Sequence, residues 1–270
     1  MSLLKPFLVA GTFILTVGLL SPALSVSIAA SQSTSIQNTQ QPPVAKPAEI
    51  KTTEAVPTVE QILEKYVKAI GGKAAVQAQT SRVVKGTLAA PAFGVKGTVE
   101  IYSKAPNKQL TEMAAPILGK SRVGFNGATA WEEENGAVKE LPIFAKREAD
   151  FYLPIKLRDL YPKIDFKGKE KIGKREAFHL EAPRGGNPKR WYFDVETGLL
   201  LRTEVRNAEG KLVNSEDYED YRAVDGIQIP FTTRQVAEDG TEIIITLNSV
   251  THNAPIDEAK FEKPVPKSAG

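Results

Sequence analysis

Between residues 163 and 252 the sequence alternates apolar and polar side chains almost without pause. Leu199, Leu201, Thr203 and Val205 alternate with Leu200, Arg202, Glu204 and Arg206. Ile227, Ile229 and Phe231 alternate with Gln228, Pro230 and Thr232; Ile243, Ile245 and Leu247 alternate with Glu242, Ile244 and Thr246. Upstream, Gly97, Val99 and Ile101 alternate with Thr98, Glu100 and Tyr102. A period of two marks half-buried strands with one apolar and one wet face. Turn signals break the pattern at Asn126-Gly127, Asn135-Gly136, Thr197-Gly198, Glu209-Gly210, Asp225-Gly226 and Asp239-Gly240. Such pairs supply the positive φ that tight hairpins need. Parallel strands would require helical crossovers, for which residues 163–252 have no room, so roughly ten strands form an antiparallel meander.

Helices are few. Thr58 and Gln61 have capping-box spacing, and Ile62, Leu63, Tyr66, Val67 and Ile70 mark one helical face that Gly71-Gly72 terminates. A second, shorter helix fits residues 73–79. Residues 142–162 interrupt the strands with Phe144, Phe151, Tyr152, Ile155, Leu157, Leu160 and Tyr161 among charged residues. One or two short amphipathic helices are expected there, broken or kinked at Pro154. So few helices give little cover to a one-faced sheet. It can fold over as a sandwich, close as a barrel, or curl around its helices as an incomplete barrel with an apolar groove.

The first 29 residues read as a secretory signal peptide, with Lys5 before an uncharged apolar run and Ser27 and Ala29 at cleavage-site spacing. An uncleaved membrane anchor is the other reading, since Phe7 to Ala30 is long enough to span a bilayer. Residues 30–56, rich in Gln, Ser, Thr, Pro and Ala, read as a disordered linker. Residues 57–264 then form the β domain and 265–270 a tail.

Composition narrows the function. The chain has no cysteine, which excludes disulfides, thiolate metal sites and cysteine nucleophiles. Its net charge of +3 comes from intermixed signs, as in Lys167-Gly168-Lys169-Glu170-Lys171, so no nucleic-acid partner is expected. No cofactor, metal site or catalytic centre is expected either. His179 and His252 are the only histidines, have no spacing that links them, and read as surface residues. Glu132-Glu133-Glu134 reads as a solvated hairpin tip, and Arg184 to Lys189 as a hairpin loop. Asp194 and Asp225 read as turn residues bonded to their own backbone. Asp217 and Glu219 share a strand face without forming a catalytic pair.

Several segments together resemble a known group. They are Tyr66-Val67-Lys68-Ala69-Ile70-Gly71-Gly72, Lys85-Gly86-Thr87, Tyr192-Phe193-Asp194-Val195-Glu196-Thr197-Gly198-Leu199-Leu200, Tyr221-Arg222-Ala223-Val224-Asp225-Gly226-Ile227-Gln228-Ile229-Pro230 and Asp257-Glu258-Ala259-Lys260-Phe261. Over residues 57–264 the chain resembles the outer-membrane lipoprotein-sorting group, related to the periplasmic lipoprotein carriers (the LolA/LolB-like superfamily). The resemblance implies a mainly β, α+β fold: an incomplete antiparallel β-barrel with short helices on its concave face, preceded by an N-terminal helix. It implies an exported, non-enzymatic carrier whose partners are lipid or the acyl chains of a lipoprotein. Membrane contact would be transient or through an uncleaved anchor. Trp131, Phe144, Phe151, Tyr152 and Ile155 are the expected cavity lining, with residues 142–162 as lid or plug; the alternative is permanent core packing. A carrier should have few buried charges. An envelope scaffold or signalling module, with the cavity packed shut and a protein partner on a sheet edge or on residues 142–162, is the other functional reading.

Overall fold

A computed structural model describes residues 56–116, 119–141, 149–184 and 187–265. The expected signal peptide, nearly all of the expected linker, Phe144 and residues 266–270 lie outside the described residues. Helix α1 (Val59–Ala69) starts with the expected capping box: the Thr58 N–H donates to Gln61 Oε1 at 2.9 Å and the Gln61 N–H to Thr58 Oγ1 at 3.2 Å. It ends at Gly71, whose φ of +115° favours glycine, and where a Cβ would lie 2.2 Å from the Gly226 carbonyl oxygen. That close approach lets the Gln228 N–H donate to Ile70 O at 3.1 Å, pinning the helix to a hairpin turn. Helix α2 (Lys73–Gln77) follows and is two residues shorter than expected.

The strands are β1 (Ser81–Ala90), β2 (Val95–Lys104), β3 (Lys108–Ala115), β4 (Gly119–Phe125), β5 (Ala130–Glu134), β6 (Ala137–Leu141), β7 (Asp165–Ile172), β8 (Arg175–Ala182), β9 (Lys189–Asp194), β10 (Leu200–Arg206), β11 (Leu212–Val224), β12 (Ile227–Ala237) and β13 (Glu242–His252). These thirteen form one sheet in the order β6-β5-β4-β3-β2-β1-β13-β12-β11-β10-β9-β8-β7. The estimate of ten was low because strands as short as β5 and β6 carry little periodicity. The observed pairings are antiparallel, and the hairpin turns carry positive φ, as at Asp225 (49°) and Gly226 (79°). The sheet is not closed into a barrel. Its helices lie on the concave face, so the architecture is the expected incomplete antiparallel barrel.

This order has a topological consequence. The chain begins at the middle of the sheet, runs outward to the β6 edge, and resumes at the opposite β7 edge before returning to pair β13 with β1. The connection from β6 to β7 must therefore cross the sheet. Its described residues trace that crossing on the helix side. Ala149 packs on Val123, Phe125 and Ala130 of β4 and β5. Tyr152 and Ile155 pack beside Ile70, Val76 and the β12 residues Ile227, Ile229 and Phe231. Leu157, Tyr161 and Ile164 reach Phe178, Leu180, Trp191 and Phe193 of β8 and β9, together with Ile62 and Leu63 of α1. We call residues 149–164 the strap. It contains helix α3 (Leu153–Leu160), and Pro154 lies in the first turn of that helix. The proline initiates the helix rather than breaking it, because N–H groups in a first turn need no intrahelical acceptor.

A second core lies on the convex face. Leu110 and Trp131 pack there against Ile256 and Phe261, Phe261 belonging to the 3₁₀ turn Glu258–Phe261. One strand departs from its expected alternation. A register irregularity between Leu200 and Arg202 turns Leu201 to the convex side with Ala177 and Tyr192, whereas Leu200 packs with the concave-side cluster.

Candidate functional site

The concave surface of the central strands is built of transverse rows set by the register. Val84 of β1 stands between Ile101 of β2 and Val250 of β13. The next row holds Met113, Val99, Gly86 and Leu247, and the one after it Gly97, Leu88 and Ile245. Leu88, Ala90, Val95, Val99, Ala115, Ile243 and Ile245 form a buried apolar cluster with Ile101, Met113 and Leu247 at its margin. All ten belong to β1, β2, β3 and β13; no described residue of α1, α2 or α3 is a member. Elsewhere on this face the clusters include helix or strap residues.

At one end of the apolar rows stands a polar one. Gln109, Ser103, Arg82 and His252 are successive cross-strand neighbours on β3, β2, β1 and β13. The strap passes over them and leaves a half-open cavity of about 150 Å³. Ala149, Asp150, Phe151, Leu153 and Pro154 form its roof, the polar row its floor, and Val76, Gln79, Lys108 and Ile227 its sides. Small-molecule sites usually occupy about 300–1,000 Å³, so this space holds a head group or a short stretch of chain.

The polar groups around the cavity are unequally satisfied. Asp150 pairs with Lys156 at 3.1 Å and accepts the Tyr152 N–H at 2.8 Å. Lys108 pairs with Glu258. Arg82 has no carboxylate partner among the described residues; its guanidinium lies 5.8 Å from the centre of the Phe151 ring. Burial pushes the Arg82 guanidinium below its ordinary range, with Tyr66 opposing, and pushes the Tyr66 phenol up to about 12. An arginine nevertheless keeps its proton inside proteins, so the cavity contains a cation. The His252 side chain is 2% exposed, with Nδ1 3.0 Å from the Asp225 carboxylate. Its Nε2 and the Gln79 Oε1 are buried without a hydrogen-bond partner.

Several expectations need correction. Arg82 is a charge beside the cavity that the sequence reading did not single out. It stands in phase with Val84 and Leu88, and alternation assigns it to that face whatever its polarity. His179 is 5% exposed, not a surface residue: its Nδ1 lies 2.6 Å from Glu170 and its ring stacks on Tyr192. Alternation put it on the face opposite Phe178, but that face carries its own apolar cover. Glu132 is buried within β5 and pairs with Lys139 at 2.8 Å, and Glu133 pairs with Arg122, so the acidic run is strand rather than hairpin tip. Asp194 does hold its own turn, accepting the Thr197 N–H at 2.6 Å.

Of the expected lining residues, Phe151, Tyr152 and Ile155 come together on the strap, and Phe151 faces the cavity. Trp131 lies on the convex face, away from them, because alternation gives side but not which side is concave. Phe144 lies outside the described residues. Arg82 and Gln79 escaped the sequence reading, and His252, read as a surface residue, has a side chain only 2% exposed. The only signal for Arg82 was a charged residue in register with an apolar run.

No protein-family model matches the chain, and no curated protein matches it by sequence. Solved structures do match in fold. A LolA-superfamily protein from Nitrosomonas europaea superposes with a TM-score of 0.55 at 14% identity, over 77% of this chain and 99% of that one. A DUF1329-family protein from Desulfovibrio piger gives 0.54 at 13% identity, over 77% and 98%. A domain described as an outer-membrane lipoprotein-sorting protein, from Vibrio parahaemolyticus, gives 0.51 at 12% identity, over 74% and 97%. At such identities the likeness is one of fold, and it is the LolA-like fold that the motif segments led us to expect.

Proposed function

We propose that this chain is an exported, non-enzymatic binder and carrier of a hydrophobic ligand, lipid or the acyl chains of a lipoprotein, in the cell envelope. One observation carries the reading: the apolar cluster around Leu88, Val99 and Ile245 is built of strand residues alone among the described residues, and only Leu247 at its margin also meets the helix-side cluster, while a topologically obligatory strap passes beside it. Hydrocarbon laid along the rows would gain about 0.8 kcal/mol per buried CH₂. The cavity of about 150 Å³ is too small for a whole chain, so loading requires the strap to lift. Residues 1–29 serve as the export signal and residues 30–56 as the linker that tethers the domain of residues 57–264, followed by the tail of residues 265–270. Mass spectrometry of organic extracts from the purified protein tests the proposal. Co-purifying lipid, or saturable binding of a fluorescent acyl probe, is expected; repeatedly lipid-free protein that binds no acyl probe would overturn it.

The small cavity also favours a second reading, an envelope scaffold that grips a protein partner through the strap or a sheet edge. In that case a single stoichiometric partner would be captured equally well by the unsubstituted chain and by Ile101→Trp, which fills the apolar rows.

A further inference from the structure

The rows of the concave face are not uniformly apolar, and their order is that of an amphiphile. The polar row through Arg82 comes first, and successive apolar rows lead away from it along the strands. Rows on one face of a strand are about 7 Å apart, so the third apolar row, at Leu88, lies about 20 Å from the polar one. Arg82 has no carboxylate partner among the described residues, and two neighbours, His252 Nε2 and Gln79 Oε1, are buried without partners. Buried polar groups in native proteins nearly always find a partner. Arg82 is half-buried, and a cation partly withdrawn from water without a counter-ion carries a desolvation cost. Two buried groups without partners and a half-buried cation without a carboxylate, all bordering one cavity of about 150 Å³, point to a ligand there.

The chemistry of the groups selects the ligand. A guanidinium is a planar fork of donors that matches a carboxylate or phosphate. With Nδ1–H donating to Asp225, His252 Nε2 is an acceptor that a phosphate hydroxyl can satisfy and a carboxylate cannot, while Gln79, with its amide turned over, offers N–H to either anion. Asp150 also borders the cavity, but its charge is matched by Lys156. We propose that the cargo is an anionic amphiphile whose carboxylate or phosphate docks on Arg82 beneath Phe151, with its chain running along the rows from Val84 towards Leu88. The inference rests on the carrier reading above and adds the charge and orientation of the cargo.

The test uses the full chain and displacement of a fluorescent acyl probe by palmitate, hexadecyl phosphate and hexadecanol, which share a chain length and differ in head group. The two anions should bind at least about tenfold more tightly than the alcohol, the scale of a hydrogen bond to a charged group. In Arg82→Gln that preference should shrink to within about twofold, with hexadecanol affinity unchanged; the latter shows that the variant is folded. If Arg82→Gln does not fold, the comparison in the unsubstituted chain and in Arg82→Lys decides. Equal affinity for anion and alcohol, or a preference that survives Arg82→Gln, would overturn the head-group assignment and leave the carrier reading standing. Failure of all three to bind would overturn both. Stabilisation by inorganic phosphate without any amphiphile binding would identify a free anion as the ligand and would likewise overturn the proposal.

Discussion

Trp131 is 0% exposed, lies over Gly124 and donates its indole N–H to the Phe261 carbonyl at 3.0 Å. A Cβ on residue 124 would fall 2.3 Å from the indole ring, so the glycine is what admits the tryptophan. Trp131→Ala should cost about 3–5 kcal/mol, the range for an aromatic deleted from a core, as measured by chemical denaturation. Because the residue is on the convex face, acyl-probe affinity per folded molecule should not change. Asp194 supports a prediction of the opposite kind. Burial would raise its pKa, but hydrogen bonds from the Thr197 N–H and hydroxyl and the pairing with Arg175 outweigh that and hold it below the ordinary carboxylate value. Its contribution to stability is therefore fully present above about pH 4 and is lost as pH falls through the lower folded-state value. In Asp194→Asn the acid limb of a Tm-against-pH curve should be shallower than in the unsubstituted chain; an unchanged limb would mean that other carboxylates dominate it. Alternation assigned His179 to a face but could not say what covers that face, and Arg82 gave no signal beyond its register with an apolar run. Residue-scale chemistry was for that reason the least legible part of the chain.

Unlike the strands, the strap shares no ladder with a neighbour. It is held at its start by the Phe151 N–H donating to Pro106 O at 2.8 Å and by the Tyr152 hydroxyl donating to Gln79 O at 3.1 Å. Farther along, Arg158 pairs with Glu60 of α1 at 3.2 Å, and Leu157, Tyr161 and Ile164 are buried against β8 and β9. These few anchors contrast with the continuous ladders of the sheet, so opening of the strap should require less than global unfolding. Tyr152→Phe removes one anchor and should cost about 1 kcal/mol. In stopped-flow displacement, release of an acyl probe should accelerate by about fivefold, the same energy expressed as a rate. An unchanged release rate would mean that the strap does not gate the face. The helices and hairpins were legible because caps and turns are local: Thr58 with Gln61, and Asp225 with Gly226. Pro154 was misread because a proline looks the same at the start of a helix as at a break within one.

At the scale of the molecule, an unclosed sheet leaves two edges, and the meander pattern did not foretell which strands would occupy them. The partner of β1 is β13, more than 150 residues away, a pairing that no local signal encodes. The resulting order makes β6 and β7 the edges among the described residues. Exposed edges invite pairing between copies, and natural proteins blunt them with short strands, charges and bulges. Both edges follow that rule. β6 has five residues and carries Lys139 and Glu140. β7 alternates Lys167, Lys169 and Lys171 around Gly168, where a register irregularity interrupts its ladder with β8. The lysines repel a second β7 edge approaching in the antiparallel sense, and the irregularity shortens the flat stretch available to it. Replacing Lys167, Lys169 and Lys171 together with threonine keeps strand propensity and removes the repulsion. The triple variant should form dimers and larger species with rising concentration in light scattering, more so than any single variant, and its difference from the unsubstituted chain should be largest at low salt. The unsubstituted chain should tolerate the same concentrations. A triple variant that stays monodisperse would show that the bulge at Gly168, rather than charge, protects this edge.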